Sequence, residues 1–190
     1  MARRPDPEVR HVRAGEHQRL RALRLQALAT DPAGFTATYD RDAGQAAAWW
    51  HRWAEMSGAG DDQRTFVLTG PEDEWLGLAL VRRDADRPDA AVINAMWVAP
   101  EARGAGGSRA LCDACAAWAA ERGLAEVTLT VLADNPRARR AYEAAGFAVQ
   151  GTTTWSRHDR TLAEFIGGRP AGARTEDDRP ELLMTRPLRA

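Results

Sequence analysis

The chain has 190 residues, with 44% hydrophobic and 28% charged side chains, which is ordinary for one globular domain with a sizeable core. Its 26 basic side chains, all Arg, nearly balance 27 acidic ones, so nucleic-acid partners are not expected, and no apolar run of about 18 residues could span a membrane. The absence of Lys excludes Schiff-base and P-loop lysine chemistry. The first residues lack the apolar stretch of a secretory signal, so a cytoplasmic location is expected.

The first half of the chain predicts a strand, two helices and a hairpin. Weak alternation at 9–13 indicates a strand, and apolar residues at helical spacing predict a helix over 16–29. A second helix is predicted over 44–56, where three Trp lie within five residues. Short apolar runs at 65–69 and 76–82, separated by a Gly-Pro turn, predict the two strands of a hairpin.

The second half predicts a β-α-β unit followed by another helix and strand. A near-continuous apolar strand at 91–98 leads into an Ala-rich helix over 107–122, and a strand follows at 126–132. A proline in the first turn and a glycine just past the end predict a helix over 135–145. Further strands are predicted at 147–154 and 181–185.

Together these elements predict an α/β fold of the α+β kind, with a mixed, twisted central sheet of six or seven strands flanked by about four helices. One domain is expected over residues 9–190, preceded by a flexible arm at 1–8. The stretch 155–180 is rich in Arg, Gly, Pro and Asp and is interpreted as a variable insertion.

The two cysteines, Cys112 and Cys115, form a C-x-x-C pair inside the predicted helix at 107–122. This spacing is compatible with redox chemistry or with half of a zinc site. Because no second ligand pair is recognisable and the four His are scattered, two small core residues one turn apart are the favoured interpretation.

Three glycines, Gly104, Gly106 and Gly107, connect the strand at 91–98 to the next helix. Glycines let successive backbone N–H groups approach a phosphate, and the positive N-terminal end of the following helix attracts an anion. Arg103 and Ser108 could add a charge-assisted bond and a hydroxyl contact. Glycine turns also occur where a strand packs against a helix, so this turn alone leaves phosphate binding and packing open.

Asn135 and Tyr142 lie at the start of the following predicted helix and two turns along it. At about 1.5 Å of rise per residue, both side chains project from one face and can address one cleft. Asn before Pro is also an ordinary N-cap, and a Tyr near a helix end is also typical of core packing. Each residue therefore keeps a structural alternative.

Two segments carry a family resemblance, VAPEARGAGGS at 98–108 and NPRARRAYEAAGF at 135–147. In order and spacing they resemble the GNAT superfamily of acyl-CoA N-acyltransferases, and the likeness extends over about residues 9–154. It implies a GNAT-like sheet whose central strands splay apart, acetyl-CoA as co-substrate, and no metal. It further implies acetyl transfer to a primary amine by direct attack in a ternary complex. The acceptor would be a small or amino-acid-like molecule, and the splayed sheet would permit a homodimer.

The resemblance also assigns roles to individual residues. Tyr142 would be the general acid that protonates the leaving thiolate, and the backbone N–H of Val98 would polarise the thioester carbonyl. Relatives usually have Gly or Ala where this chain has Ser108, which either crowds the turn or adds a phosphate contact. The implied cofactor-binding residues are Trp97, Val98, Arg103, Gly104, Ala105, Gly106, Gly107, Ser108, Asn135 and Tyr142.

The base that would remove the amine proton is unassigned. Many relatives carry a Glu on the strand before the glycine turn, whereas residues 92–98 contain no acid. Asn94 could orient a water molecule on that strand. The other candidates are Asp40, Asp42, Glu55 and His158.

The resemblance places the acceptor between the first two helices and the loop before the last strand. Aromatic side chains in these segments favour an amine with an apolar or aromatic part. The candidate residues are Phe35, Tyr39, Trp49, Trp50, Trp53 and Trp155, of which about half are expected to belong to the core.

Two other functions fit parts of the pattern. A non-catalytic acyl-CoA sensor would keep the phosphate turn and lack a base, although Tyr142 argues against it. A Rossmann nucleotide enzyme is disfavoured because Arg109 occupies the position of the third glycine in that fingerprint.

Overall fold

The computed structural model describes residues 8–35, 37–59, 61–153 and 180–188. Within them, seven strands form one mixed sheet in the order β1-β2-β3-β4-β5-β7-β6, and helices lie against it, so the predicted fold class is confirmed. The strands are β1 (Glu8–His11), β2 (Gln63–Thr69), β3 (Trp75–Arg83), β4 (Ala90–Val98), β5 (Glu126–Leu132), β6 (Ala148–Thr153) and β7 (Glu181–Pro187). The α-helices of these residues are α1 (His17–Thr30), α2 (Tyr39–Ala43), α3 (Ala47–Ala59), α4 (Gly107–Ala120) and α5 (Pro136–Ala144).

The sheet consists of two antiparallel halves joined by one parallel pair of strands. In the first half, β1, β2, β3 and β4 pair in chain order as an antiparallel meander. In the second half, β7 lies between β5 and β6 and is antiparallel to both. The parallel pair is β4 and β5, and α4 provides the crossover that a parallel pair requires.

β4 and β5 separate soon after they begin to run side by side. Their ladder joins Ala90–Val92 to Glu126–Thr128, and no later pair of residues in these two described strands belongs to it. Ala95 has a φ of 54°, and the register between β3 and β4 shifts between Leu78 and Leu80, so β4 bends at this point. The predicted splay of the central strands is therefore present between β4 and β5.

Each face of the sheet carries its own hydrophobic core. On one face, Leu111 and Trp118 of α4 pack with Phe147 against the sheet. On the other face, Leu20 of α1 and Trp50 of α3 pack against the strands of the first half. The first of these cores includes residues of both β4 and β5, whereas the second includes strand residues of the first half of the sheet.

The predicted elements are found within about three residues of their predicted ends, which is the usual uncertainty of helix and strand boundaries. The short helix α2 was not predicted, and β1 begins at Glu8, a residue that was assigned to the arm. The rest of that arm and nearly all of the predicted insertion lie outside the described residues. No helix in the described part of the chain is both long and apolar enough to cross a membrane.

Cys112 and Cys115 are free thiols in the core beneath the sheet, as the favoured interpretation of their spacing predicted. Burial raises the pKa of the Cys112 thiol to about 12 and raises the pKa of the Cys115 thiol well above its usual value. Both thiols therefore stay protonated and unreactive at neutral pH.

Candidate functional site

A cleft of about 830 Å³ opens where β4 and β5 separate. One wall is formed by α1 and the loop that follows it, and the other by the glycine turn, α5 and the end of β5. The residues that line it include Arg24, Asp31, Phe35, Asn94, Met96, Trp97, Val98, Arg103, Gly104, Ser108, Thr130, Asn135, Ala138, Tyr142 and Glu181. The volume is that of a typical small-molecule site.

The glycine turn bends with two residues in the left-handed region of backbone conformation. Gly104 has a φ of 80° and Gly106 a φ of 85°, and a Cβ on either would have no heavy atom within 4 Å. Gly107 is buried at the start of α4. A Cβ at this residue would lie only 2.6 Å from Cδ2 of Leu68. The first two glycines are thus required by conformation and the third by packing. The turn leaves open space above the N-terminal end of α4.

The side chain of Arg103 is bonded to two other groups of the protein. Its Nε donates to the carbonyl oxygen of Val98 at 2.8 Å, and its guanidinium forms an ion pair with the carboxylate of Asp31. Trp97 donates from its indole Nε1 to the same carboxylate at 2.7 Å. The expected contact of Arg103 with a phosphate is therefore not preformed in this conformation.

Asn135 and Tyr142 combine the structural and the cleft-lining roles that the sequence left open. Oδ1 of Asn135 accepts a hydrogen bond from the backbone N–H of Ala138 at 3.1 Å, which makes Asn135 the N-cap of α5. Tyr142 is largely buried and packs edge-to-face on Phe147, with ring centroids 6.1 Å apart. Both residues also line the cleft. Burial raises the pKa of the Tyr142 phenol above its usual range, so the hydroxyl keeps its proton at neutral pH.

Comparison with known proteins decides the family. The model of the Acetyltransferase (GNAT) family matches residues 22–147, well over half of the chain. The chain belongs to this family. An uncharacterized N-acetyltransferase of Mycobacterium tuberculosis (strain ATCC 25618 / H37Rv) is 34% identical to it over 95 residues. That match covers 50% of this chain and 60% of the mycobacterial protein.

Two solved GNAT structures share the fold at low sequence identity. An acetyltransferase from Streptococcus pneumoniae superposes with a TM-score of 0.73 and 18% identity, over 96% of this chain and 99% of that one. A phosphinothricin acetyltransferase from Sinorhizobium meliloti, solved in complex with AcCoA, gives a TM-score of 0.68 and 18% identity over 96% and 89% of the two chains. At this identity the likeness establishes the GNAT fold and leaves the substrate open.

Three carboxylates that line this GNAT cleft were missed from the sequence: Asp31, Glu181 and the exposed Asp134 before α5. Asp31 follows α1, and Glu181 begins β7, where it lies opposite Leu132 of β5 and is buried. Both line the cleft. The candidate residues on β4 and in the region 40–55 are close to the glycine turn or to the first helices in sequence, whereas Glu181 belongs to a strand about 80 residues beyond β4. A lone acid at the start of an apolar strand was the available signal.

The acids that were considered as bases lie elsewhere. Asp40 and Glu55 are exposed and do not line the cleft, and Asp42 is buried in an ion pair with Arg24. Asn94 does line the cleft, and its Oδ1 accepts a hydrogen bond from Nε of Arg82 at 3.3 Å. His158 lies outside the described residues.

The aromatic residues predicted for the acceptor site divide into three groups. Phe35 lines the cleft, whereas Tyr39 is 46% exposed and lies outside its lining. Trp49 and Trp50 are 6% and 1% exposed and belong to the core with Trp53, so they contact the sheet instead of the cleft. Large apolar side chains on a helix that faces a sheet are buried by it, and neither Trp49 nor Trp50 lines the cleft. Trp155 lies outside the described residues.

Proposed function

We propose that this GNAT protein transfers the acetyl group of acetyl-CoA to the primary amine of a small or amino-acid-like acceptor. The single observation that carries the proposal is that the glycine turn, Asn135 and Tyr142 line one cleft at the separation of β4 and β5. The turn offers an anion site, and the separated strands offer a slot for an extended arm. The phenol of Tyr142 supplies a proton donor in the same cleft.

The cofactor side of the cleft suits a CoA molecule in three ways. The open space at Gly104 and Gly106, together with the N-terminal end of α4, is suited to a pyrophosphate, and Ala105, Gly107 and Ser108 would complete the same turn. Beyond Val92, the edge of β4 that faces β5 has no ladder partner in the described strands. Backbone groups at Trp97 and Val98 would pair there with the pantetheine arm as an added strand.

Arg103 would have to exchange partners to contribute to phosphate binding. Its guanidinium now contacts Asp31 and the Val98 carbonyl, and its side chain is about three-quarters buried. A phosphate within reach would compete with Asp31 for the same donors. Asn135 would hold the arm from the start of α5 with the part of its side chain that does not cap this helix.

The transfer itself needs one proton acceptor and one proton donor. As the amine nitrogen bonds to the acetyl carbon, it loses a proton to a base, and the N–H of Val98 stabilises the oxyanion. As the carbon–sulfur bond breaks, Tyr142 protonates the thiolate, whose conjugate acid has a pKa of about 8.5. The carboxylates that line the cleft are Glu181, Asp31 and the exposed Asp134, and Asn94 could orient a water. Glu181 is proposed as the base because it lies opposite Leu132 at the end of β5, beside the separation of β4 and β5.

An acceptor screen tests the proposal. Release of CoA thiol from acetyl-CoA is measured against a panel of primary amines with the parent protein and with Tyr142→Phe. Tyr39→Phe is the matched control, because Tyr39 is the only other tyrosine in the sequence and lies outside the cleft lining. Turnover that depends on Tyr142 and not on Tyr39 supports the proposal. Tight binding of acetyl-CoA without turnover of any amine would support a non-catalytic acyl-CoA sensor instead.

A further inference from the structure

Arg24 is a buried cation in the wall of the cleft. It lies on α1 among apolar neighbours such as Leu20, Leu23 and Leu28, its residue is only 2% exposed, and it lines the cleft. Burying a guanidinium is costly unless its charge and its donors are satisfied. An Arg in this position therefore calls for an explanation beyond helix packing.

Asp42, the partner of Arg24 within the fold, accepts a hydrogen bond from only one of the guanidinium nitrogens. Nε of Arg24 donates to Oδ2 of Asp42 at 2.9 Å, and this is its one hydrogen bond to another described residue. The second oxygen of that carboxylate, Oδ1, accepts from Nε of Arg41 at 3.3 Å. One carboxylate is thus shared between two guanidinium groups, so Arg24 does not form the two-pronged pair that its geometry favours.

One nitrogen of Arg24 is left without a hydrogen-bond partner among the described residues. Nη1 is buried and makes no hydrogen bond to any described residue. The ring of Phe35 lies against the guanidinium, with its centroid 5.1 Å from Cζ, and also lines the cleft. Asp42 at Nε and Phe35 against the plane fix the orientation of the guanidinium. The residue that carries the unpartnered donor is therefore held in one orientation within the lining of the cleft.

We infer that Arg24 binds an anionic group of the acceptor, and that the acceptor is an amine that also carries a carboxylate. This inference rests on the proposed function and names its substrate class. A carboxylate oxygen would give Nη1 of Arg24 the acceptor that it lacks among the described residues, and it would add a second negative charge beside that of Asp42. A purely structural pair between α1 and α2 would explain the bond to Asp42 and not the buried free donor in the cleft wall.

The positions of the walls give the acceptor an orientation. Arg24 and Phe35 belong to the wall made by α1 and its following loop, whereas Tyr142 belongs to α5 on the opposite wall. The carboxylate would lie at α1 with the amine directed toward the separation of β4 and β5. Asn94 lines the cleft on β4 between the two walls.

Matched acceptors test the inference in the parent protein. Sets built on glycine, glutamate and phenylalanine each compare the amino acid with its α-amide and with the amine that lacks the α-carboxylate. The expected result is a kcat/KM about 10- to 100-fold higher for the acid than for the amide in at least one set, the range of a charge-assisted hydrogen bond. Equal kcat/KM for acids and amides in every set would overturn the inference and leave the proposed function standing.

Variants then connect the preference to Arg24. Arg24→Lys keeps the positive charge and loses the planar arrangement of N–H donors of the guanidinium. The double variant Arg24→Gln with Asp42→Asn removes both charges, so that the Asp42 carboxylate is not left buried without Arg24. The acid-to-amide ratio should fall several-fold in the first and approach one in the second. The amide reports any general loss of activity, so a structural role alone would leave the ratio unchanged and would contradict the inference. Arg21→Gln, an exposed Arg one turn earlier on α1, should keep the parent ratio.

A binding measurement separates the two proposals. Calorimetry compares N-acetylphenylalanine with N-acetylphenylalaninamide on the parent protein saturated with CoA, together with the N-acetylated glycine and glutamate pairs. Tighter binding of the acids that disappears in the double variant supports the anion site even if no amine is acetylated, in which case the proposed function alone fails. Equal binding of acids and amides contradicts the anion site whatever the turnover.

Discussion

The indole Nε1 of Trp97 donates a hydrogen bond of 2.7 Å to Oδ2 of Asp31, which joins the end of β4 to the residue that follows α1. Arg103, at the start of the glycine turn, forms an ion pair with the same carboxylate. Asp31 therefore connects the acceptor wall of the cleft to the segment proposed to hold the cofactor.

Replacing Asp31 with Asn should lower the free energy of unfolding by about 1 kcal/mol, because a half-buried charge-assisted pair is lost while the side-chain shape is kept. Urea unfolding followed by Trp fluorescence measures the change. Asp40→Asn, an exposed acid in the same region, is the control and should be neutral. Equal destabilisation by the two variants would mean that the bonds of Asp31 to Trp97 and Arg103 do not contribute to the free energy of unfolding.

Gly106→Ala should weaken CoA binding about tenfold and lower the free energy of unfolding by about 1 kcal/mol, because L residues are strained at positive φ. Gly123→Ala is the matched control: its φ is 69°, a Cβ there is equally unobstructed, and it lies past the far end of α4. It should cost the same stability and leave CoA affinity unchanged. Calorimetric titration with CoA distinguishes the two, and an unaltered affinity in Gly106→Ala would argue against the turn as the phosphate site.

Tyr142→Phe should lower kcat by about 100-fold with little change in the Kd of acetyl-CoA, because the general acid acts in the transition state. Burial raises the pKa of the phenol, so its ionisation cannot reduce kcat as the pH rises from 7 to its usual pKa of about 10. Rapid-mixing and steady-state measurements across this range check both points. A decline in kcat that follows a phenol titration below pH 10 would contradict the assigned environment.

Glu181→Gln should reduce kcat/KM at pH 7 by about 100-fold and recover activity as the pH rises, because an aliphatic amine with a pKa of about 10 then deprotonates in solution. Asp31→Asn serves as the comparison within the same cleft. If Asp31→Asn shows the pH-dependent rescue and Glu181→Gln does not, the two carboxylates exchange roles in the mechanism.

Cys112 and Cys115 should resist alkylation in the native protein at pH 8, because burial raises the pKa of the Cys112 thiol to about 12 and that of Cys115 well above its usual value. Mass spectrometry after treatment with iodoacetamide should show modification in denaturant alone. Rapid labelling of the folded chain would reopen a redox or metal role for this pair.

Much of the fold could be predicted because its signals are local. Helical spacing and short apolar runs located every strand and all but one helix, and the segments at 98–108 and 135–147 located the cofactor side of the cleft. The missed helix, α2, has five residues, too few for a periodic pattern. Its buried Asp42 is held by Arg24, and that contact depends on tertiary structure.

The acceptor side could not be predicted in the same way. Arg24, Asp31 and Glu181 are separated by long stretches of sequence and meet only because the sheet brings the end of α1 and the start of β7 to one opening. Trp49 and Trp50 were attractive because of their residue type, yet the sheet buries them. Residue type alone does not distinguish a core aromatic from a ligand-binding one.

The three-residue ladder between β4 and β5 has a mechanical consequence. The described sheet is two half-sheets, β1-β2-β3-β4 and β5-β7-β6, joined by that short ladder and by the α4 crossover. The glycine turn follows β4 of the first half, and Tyr142 belongs to α5, which follows β5 of the second. A ligand that reaches from the turn to Tyr142 would bridge the hinge between the half-sheets. Its binding should slow amide hydrogen exchange along the inner edges of β4 and β5, far beyond the residues that it touches.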